Sequence, residues 1–266
     1  MKRNVVVILL VVGIILFLVG GFWFWRGQKS KPSPPTKEPE GTLVETSLEE
    51  RPYITLTPSN DGHWLTIEVF RIKKAESLEY KLLYNTASGA TQGSINTVDL
   101  KGKPSYSKKI LLGSESSGHY KFDEGVTQGS LTVRLRGGKG TRKFVTDFHL
   151  QQGDEAFVRI DGNFILEGTL SKNNFYLTMM SIGLPGDFEE GKVIIGPYEV
   201  FSSGSRTVKN GQVKLALNEI SETAKLYSWT DMSWKEVEAE TEGNMLSAEI
   251  SSLATFIAVS SSTSSE

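Results

Sequence analysis

The sequence contains no cysteine and only three histidines among its 266 residues. Without thiols the chain cannot form disulfides, thiolate nucleophiles, zinc–thiolate sites or cysteine-linked lipid anchors. His63, His119 and His149 are isolated, without a second histidine or carboxylate at metal-ligand spacing, so we expect no metal site and no cofactor. Asn-x-Ser/Thr glycosylation sites are missing as well, which favours a bacterial envelope over a glycosylated eukaryotic surface.

Catalytic motifs are present only in incomplete form. Gly113–Gly118 has the glycine spacing of a phosphate loop, but histidine and tyrosine follow where lysine and serine or threonine are needed, so a strand-connecting turn is predicted. Ser105–Lys108 matches Ser-x-x-Lys, yet no Lys-Thr-Gly follows it. The carboxylates around Asp154 and Asp187 lack the spacing of a calcium loop. We therefore expect a protein that is not an enzyme.

Only one long apolar run occurs, from Val5 to Trp25, and at about 1.5 Å per residue it matches a hydrocarbon layer of ~30 Å. A cleaved signal has an apolar centre of ~7–15 residues that ends in small side chains, whereas this run ends in Phe-Trp-Phe-Trp. The pattern predicts a permanent transmembrane helix that contacts membrane lipid. The residues expected at the membrane interface are Lys2, Arg3, Trp23, Trp25 and Arg26.

The segments around this run set the expected topology. Residues 1–4 are predicted to be a short cytoplasmic N-terminus, residues 5–25 the helix, and residues 26–44 a stalk, because four prolines within residues 27–41 favour extended chain. Basic residues are nearly balanced across the helix, so their count does not decide the orientation. A short basic N-terminus before a long C-terminal part is typical of a single-pass signal anchor in the cell membrane. We expect the N-terminus inside and the remainder outside.

Downstream of the stalk, short alternating or apolar runs predict β-strands, among them residues 64–70, 131–135 and 213–217. Clusters of glycine, asparagine, aspartate and serine separate them, and no twelve-residue amphipathic helix is apparent. Asn210-Gly211 predicts a two-residue hairpin turn, and Gly137–Gly140 predicts another hairpin. The expected fold class is all-β, with two antiparallel β-sandwich modules, and Trp64 is a candidate core residue.

Charge divides the β region into the two expected modules. Residues 42–150 carry 15 basic and 12 acidic side chains, whereas residues 151–266 carry 8 and 17. Residues 45–150 resemble an immunoglobulin- or fibronectin-type sandwich in strand count and length. We assign residues 151–260 to a second sandwich and residues 261–266 to a disordered serine-rich tail. Opposite net charge in two neighbouring segments is typical of separate modules that attract one another.

The second module resembles a known fold family. Residues 196–201, 211–215, 226–237 and 253–259 form an ordered series similar to the β-sandwich related to the spectrin-binding region of ankyrins. Relatives that cleave themselves place a histidine two residues before a serine or threonine nucleophile, but Leu253 stands at that position before Thr255, so no self-cleavage is expected. Together the two modules resemble those of membrane-anchored bacterial surface proteins with immunoglobulin-like sandwiches.

Two groups of residues are candidates for partner binding. A basic group surrounds the glycine turn of one predicted hairpin, where it can attract anionic headgroups or wall polymers, or can simply hydrate an exposed sheet edge. Trp229 and Trp234 flank a predicted four-residue loop, Thr230–Ser233, where the indoles either stack on sugar rings or pair within the sheet. The basic group consists of Arg134, Arg136, Lys139, Arg142 and Lys143.

The function expected from the sequence is therefore non-catalytic binding or structural presentation at the cell envelope, with a protein or a cell-wall polysaccharide as partner. Nucleic acid is not expected, because the β region as a whole is acidic. Two alternatives stay open. One is a membrane-tethered hydrolase acting on an envelope polymer, with a site assembled from scattered residues, and the other is a scaffold subunit of a membrane complex.

Overall fold

The computed structural model describes residues 43–138, 140–153, 156–158, 162–221 and 223–260. One 3₁₀ turn, Leu48–Glu50, precedes the first strand. The first half of the described chain then contains nine strands: β1 (Tyr53–Pro58), β2 (Trp64–Phe70), β3 (Ser77–Asn85), β4 (Thr91–Asp99), β5 (Tyr106–Leu111), β6 (Gly113–Ser116), β7 (His119–Phe122), β8 (Gln128–Gly137) and β9 (Gly140–Gln152).

The second half adds ten more strands within the described residues. They are β10 (Ala156–Val158), β11 (Phe164–Thr169), β12 (Phe175–Met180), β13 (Lys192–Ser202), β14 (Thr207–Ala216), β15 (Ala224–Thr230), β16 (Ser233–Val237), β17 (Glu240–Glu242), β18 (Met245–Ser252) and β19 (Thr255–Ser260). All the pairings between these strands are antiparallel. The all-β prediction is confirmed for the described chain.

The largest sheet has nine strands in the order β16-β15-β19-β13-β12-β9-β8-β3-β4. A three-stranded sheet, β1-β2-β5, lies over its first-half strands, and a five-stranded sheet, β10-β11-β14-β18-β17, lies over its second-half strands. Hairpin β6-β7 forms a small sheet of its own. Alternation along each strand accounts for this layering, since strands such as β3 and β8 bury every second side chain.

Two hydrophobic cores fill the spaces between these sheets. In the first, Ile54 of β1 and Leu65 of β2 contribute to the same buried cluster as Leu82 of β3. In the second, Phe164 of β11 and Phe256 of β19 share a cluster and pack with their ring centroids 6.2 Å apart. Burial of whole leucine and phenylalanine side chains is the main favourable contribution to folding in a chain without disulfides.

The expected module boundary near residue 150 lies at the end of β9. That strand pairs with β12 from Gln152↔Phe175 to Phe148↔Met179, so the nine-stranded sheet continues across the boundary. Leu177 and Met179 of β12 belong to the first core although they lie in the second half of the sequence. The halves therefore share a sheet, and their division into two modules stays a prediction.

One hairpin prediction is wrong and another is confirmed. Asn210-Gly211 does not turn the chain, because β14 continues through it and pairs with β18 on both sides, with a register shift between Thr207 and Gly211. Asn210 adopts φ 51°, and the left-handed residue absorbs the extra backbone of a β-bulge. Gly137 and Gly140 pair directly across the turn between β8 and β9, as expected for a hairpin.

The described chain begins beside that hairpin. Leu43 forms an isolated parallel bridge with Thr141 of β9, and the Val44 N–H donates to the Thr141 carbonyl at 3.0 Å. The predicted helix, residues 5–25, and most of the predicted stalk lie outside the described residues, as does the tail, residues 261–266. In the part that is described, no helix has the length and apolarity needed to cross a membrane.

Phe148 tests the importance of the strand that joins the two halves. It is fully buried, lies opposite Gly129 of β8 and Met179 of β12, and leaves no room for a side chain at Gly129. Phe148→Ala is expected to lower the free energy of unfolding of soluble residues 42–266 by ~3–5 kcal/mol in urea titrations. Val145→Ala, on the exposed face of the same strand, should change it by less than about 0.5 kcal/mol. Equal effects of the two substitutions would contradict the assigned facing of β9.

Candidate functional site

The arginines of the predicted basic group form hydrogen bonds and ion pairs within the protein. Arg134 and Arg136 lie on the face of β8 opposite Val133 and Leu135, as predicted, and both donate to the carboxylate of Glu79 on β3. The Arg136–Glu79 contact is 2.8 Å, and the Glu79 side chain is 13% exposed. Burial is the largest single influence and raises the pKa of Glu79, but the hydrogen bonds and charges of the two guanidinium groups together hold it below its usual value. This ion-pair cluster neutralises part of the positive charge of the basic group.

Arg142 also bonds within the protein, since its guanidinium donates hydrogen bonds to the backbone carbonyls of Lys73 and Lys74. A surface groove of about 330 Å³ lies beside it, lined by these lysines and the glycine turn but also by Glu45 and Glu50. Lys143 is exposed on β9. Lys139, the remaining member of the predicted basic group, lies outside the described residues. The groove is therefore of mixed charge, and it is not purely basic.

Trp229 and Trp234 face each other directly, in agreement with the prediction that the indoles lie opposite one another. They are registered partners on β15 and β16, with ring centroids 5.3 Å apart in an edge-to-face arrangement. The predicted four-residue loop is wrong, because Thr230 and Ser233 are themselves paired and only two residues form the turn. Asp231 and Met232 have φ values of 51° and 60°, as a type I′ turn requires.

A further aromatic side chain packs against Trp234 of this pair. Phe188 meets Trp234 edge to face with centroids 5.5 Å apart, and meets Tyr227 in the same way at 5.0 Å. The indole N–H of Trp234 donates to the Gly186 carbonyl at 3.5 Å, and a side chain at Gly186 would collide with Trp229. Edge-to-face contacts of this kind stabilise a packed cluster. The pairing alternative accounts for both indoles without a ligand.

The strained turn in this hairpin provides a stability test. Met232 is 88% exposed and holds a left-handed conformation that costs a non-glycine residue roughly 1 kcal/mol. Met232→Gly is expected to raise the unfolding free energy by about 0.5–1 kcal/mol, measured by thermal denaturation followed by circular dichroism. Ile220→Gly, at another exposed position without positive φ, should instead lower the melting temperature. A fall in both variants would contradict the strain at Met232.

The predicted core role of Trp64 is wrong, and the residue belongs to an aromatic group that the sequence did not reveal. Trp64 is half-buried on the outer face of β2, where the Lys109 ammonium lies 4.7 Å from its ring centroid and Tyr120 meets it edge to face at 5.5 Å. Phe122 stacks on His63 with centroids 4.0 Å apart. Tyr120 and Phe122 lie on β7, which folds back on β6. The Gly113–Gly118 motif, predicted to be a turn, is mostly strand β6, and only Ser117-Gly118 form the turn. The strand alternation of residues 119–122 was the available signal.

Glu199 is the most deeply buried carboxylate among the described residues, at 2% exposure on β13. The Tyr53 hydroxyl of β1 donates to it at 2.8 Å, and the Ser181 hydroxyl donates at 3.5 Å. Arg206 lies 3.8 Å away, and Thr255 is a further hydrogen-bond partner. Burial raises the pKa of the Glu199 carboxyl, with these partners opposing the shift, and burial also raises the pKa of Tyr53. The sequence did not reveal this site, because the strand pattern around Glu199 does not show which side chains from distant segments surround its carboxylate.

This buried carboxyl predicts a pH dependence of stability. Because the folded-state pKa is raised, the native state binds more protons than the unfolded state above about pH 4.3, and stability falls as pH rises through the folded pKa. Glu199→Gln, which is neutral throughout, is expected to reduce the fall of the unfolding free energy of residues 42–266 with rising pH, measured in urea titrations from about pH 4.5 upward. Glu249→Gln, at an exposed position on β18, should retain the wild-type slope. A slope unchanged by Glu199→Gln would exclude the proposed cause.

Candidate metal ligands are not clustered in the part of the chain that the structure describes. No group of three or more histidine, aspartate or glutamate side chains suited to a metal occurs within the described ranges. Thr255, at the position of the self-cleaving nucleophile in the resembled family, is 1% exposed and contacts Glu199, while Leu253 is equally buried. The predicted membrane-interface residues Lys2, Arg3, Trp23, Trp25 and Arg26 lie outside the described residues.

Comparison with known proteins adds no family to this description. The chain matches no protein-family model, and no curated protein resembles it significantly.

Proposed function

We propose that this protein is a single-pass, membrane-anchored protein of the bacterial cell envelope that displays its β region outside the cell for binding or structural presentation, without catalysis. The observation that carries the proposal is the apolar run from Val5 to Trp25, which ends in aromatic residues and is followed by a proline-rich segment. A run of this length suits a helix spanning the bilayer, and its end does not suit signal cleavage.

The β region is consistent with display outside the cell. We propose that it comprises two β-sandwich modules joined through the nine-stranded sheet, the first immunoglobulin-like and the second related to the ankyrin spectrin-binding sandwich. Large cores without disulfides can maintain such modules outside the cell. A protein or a cell-wall polysaccharide is the proposed partner, with membrane lipid contacted by the helix.

Protease treatment of intact cells tests this proposal. The full-length chain should remain in the membrane fraction after an alkaline carbonate wash, and protease added outside should remove the β region and leave a short membrane-bound remnant. A variant lacking residues 5–25 should be soluble and protected in intact cells. Recovery of the intact chain in the wash supernatant would exclude the anchor. Protection of the β region until the cells are lysed would reverse the orientation.

A further inference from the structure

Strand β4 is one of the two outermost strands of the nine-stranded sheet, and none of the described residues pairs with its free edge. It is nine residues long and pairs with β3 along its whole length, without a bulge. Seven of its residues are exposed, and Ile95 at its centre is 63% exposed. An open edge strand presents unpaired backbone donors and acceptors, which form a template for another strand.

The backbone hydrogen bonds at the two ends of the β3-β4 ladder show which groups are unpaired. The Thr86 N–H donates to the Ala90 carbonyl at 3.0 Å, and the Leu100 N–H donates to the Glu76 carbonyl at 2.8 Å. Bonded and non-bonded pairs alternate in an antiparallel ladder, so the even-numbered residues of β4 bond to β3. The N–H and C=O groups that point to the free edge belong to Thr91, Gly93, Ile95, Thr97 and Asp99.

The other edge strands of the three large sheets carry the protection that β4 lacks. Proteins blunt open edges with charge, proline, short length or burial. Strands β5, β16 and β17 carry charged side chains, β10 has three residues, and β1 ends in proline and is mostly buried. In β4 the only charged side chain is Asp99, at its end. This difference favours β4 as the edge that pairs with another strand.

We propose that β4 pairs antiparallel with β4 of a second copy of this chain, about a two-fold axis at Ile95. The strand is self-complementary in this register. Ile95 meets Ile95 as a hydrogen-bonded pair, Gly93 meets Thr97, and Asp99 meets Thr91, so no like charges lie opposite one another. The two exposed isoleucines cover each other on the outer face. The nine-stranded sheets of the two copies become one continuous sheet.

Cysteine cross-linking tests the register directly, because the chain has no native thiol. In the proposed pairing the two Ile95 Cα atoms lie ~5.5 Å apart, within the range that a disulfide spans. The two Thr97 Cα atoms are four residues out of register, at least ~13 Å apart, although Thr97 is exposed on the same strand. The full-length chain carrying Ile95→Cys or Thr97→Cys is oxidised mildly in whole-cell lysates and run on non-reducing gels.

The expected result is a covalent homodimer with Ile95→Cys and at least tenfold less with Thr97→Cys. Co-expressed, differently tagged Thr91→Cys and Asp99→Cys chains should also link to one another. Equal linking at residues 95 and 97, or linking at neither, overturns the proposal. A covalent adduct of Ile95→Cys with a different protein assigns the edge to another partner and likewise overturns it. These outcomes are independent of the orientation and anchoring tested by external protease.

Discussion

The pairing of β9 with β12 is the interaction on which the rest of the structure depends. It is the ladder through which the first-half strands of the large sheet connect to the second-half strands. Phe148 on one side and Met179 on the other place buried side chains of both halves in the same core. Because residues from both sides of the sequence boundary share this core, loss of either half exposes apolar surface on the other.

A polar contact reinforces the same junction. Tyr53 belongs to the three-stranded sheet of the first half, whereas Glu199 lies on β13 of the second, and their hydrogen bond crosses between them. A buried carboxyl is costly unless its oxygens have partners, and Glu199 has several. Such a contact restricts which packing of the two halves is acceptable, since any other arrangement leaves a buried acidic group without donors.

Local patterns in the sequence predicted the parts of the fold that depend on local physics. Alternation located strands such as β2, and the glycines at 137 and 140 located a hairpin, because side-chain facing and turn geometry are set within a few residues. Asn210-Gly211 misled for the same reason. The dipeptide supplies a left-handed residue, and only the pairing of β14 with β18 determines whether that residue turns the chain or forms a bulge.

The candidate site residues show what local patterns in the sequence could not predict. The opposition of Trp229 and Trp234 followed from local spacing, but Phe188 and Gly186, which contact them, come from a distant segment. Glu79 and Glu199 likewise acquire their partners only through strand pairing and sheet packing. The position of Leu43 has a mechanical consequence. Its bridge to Thr141 attaches the entering chain to β9, so tension along the preceding residues is transmitted first to the strand that connects the two halves.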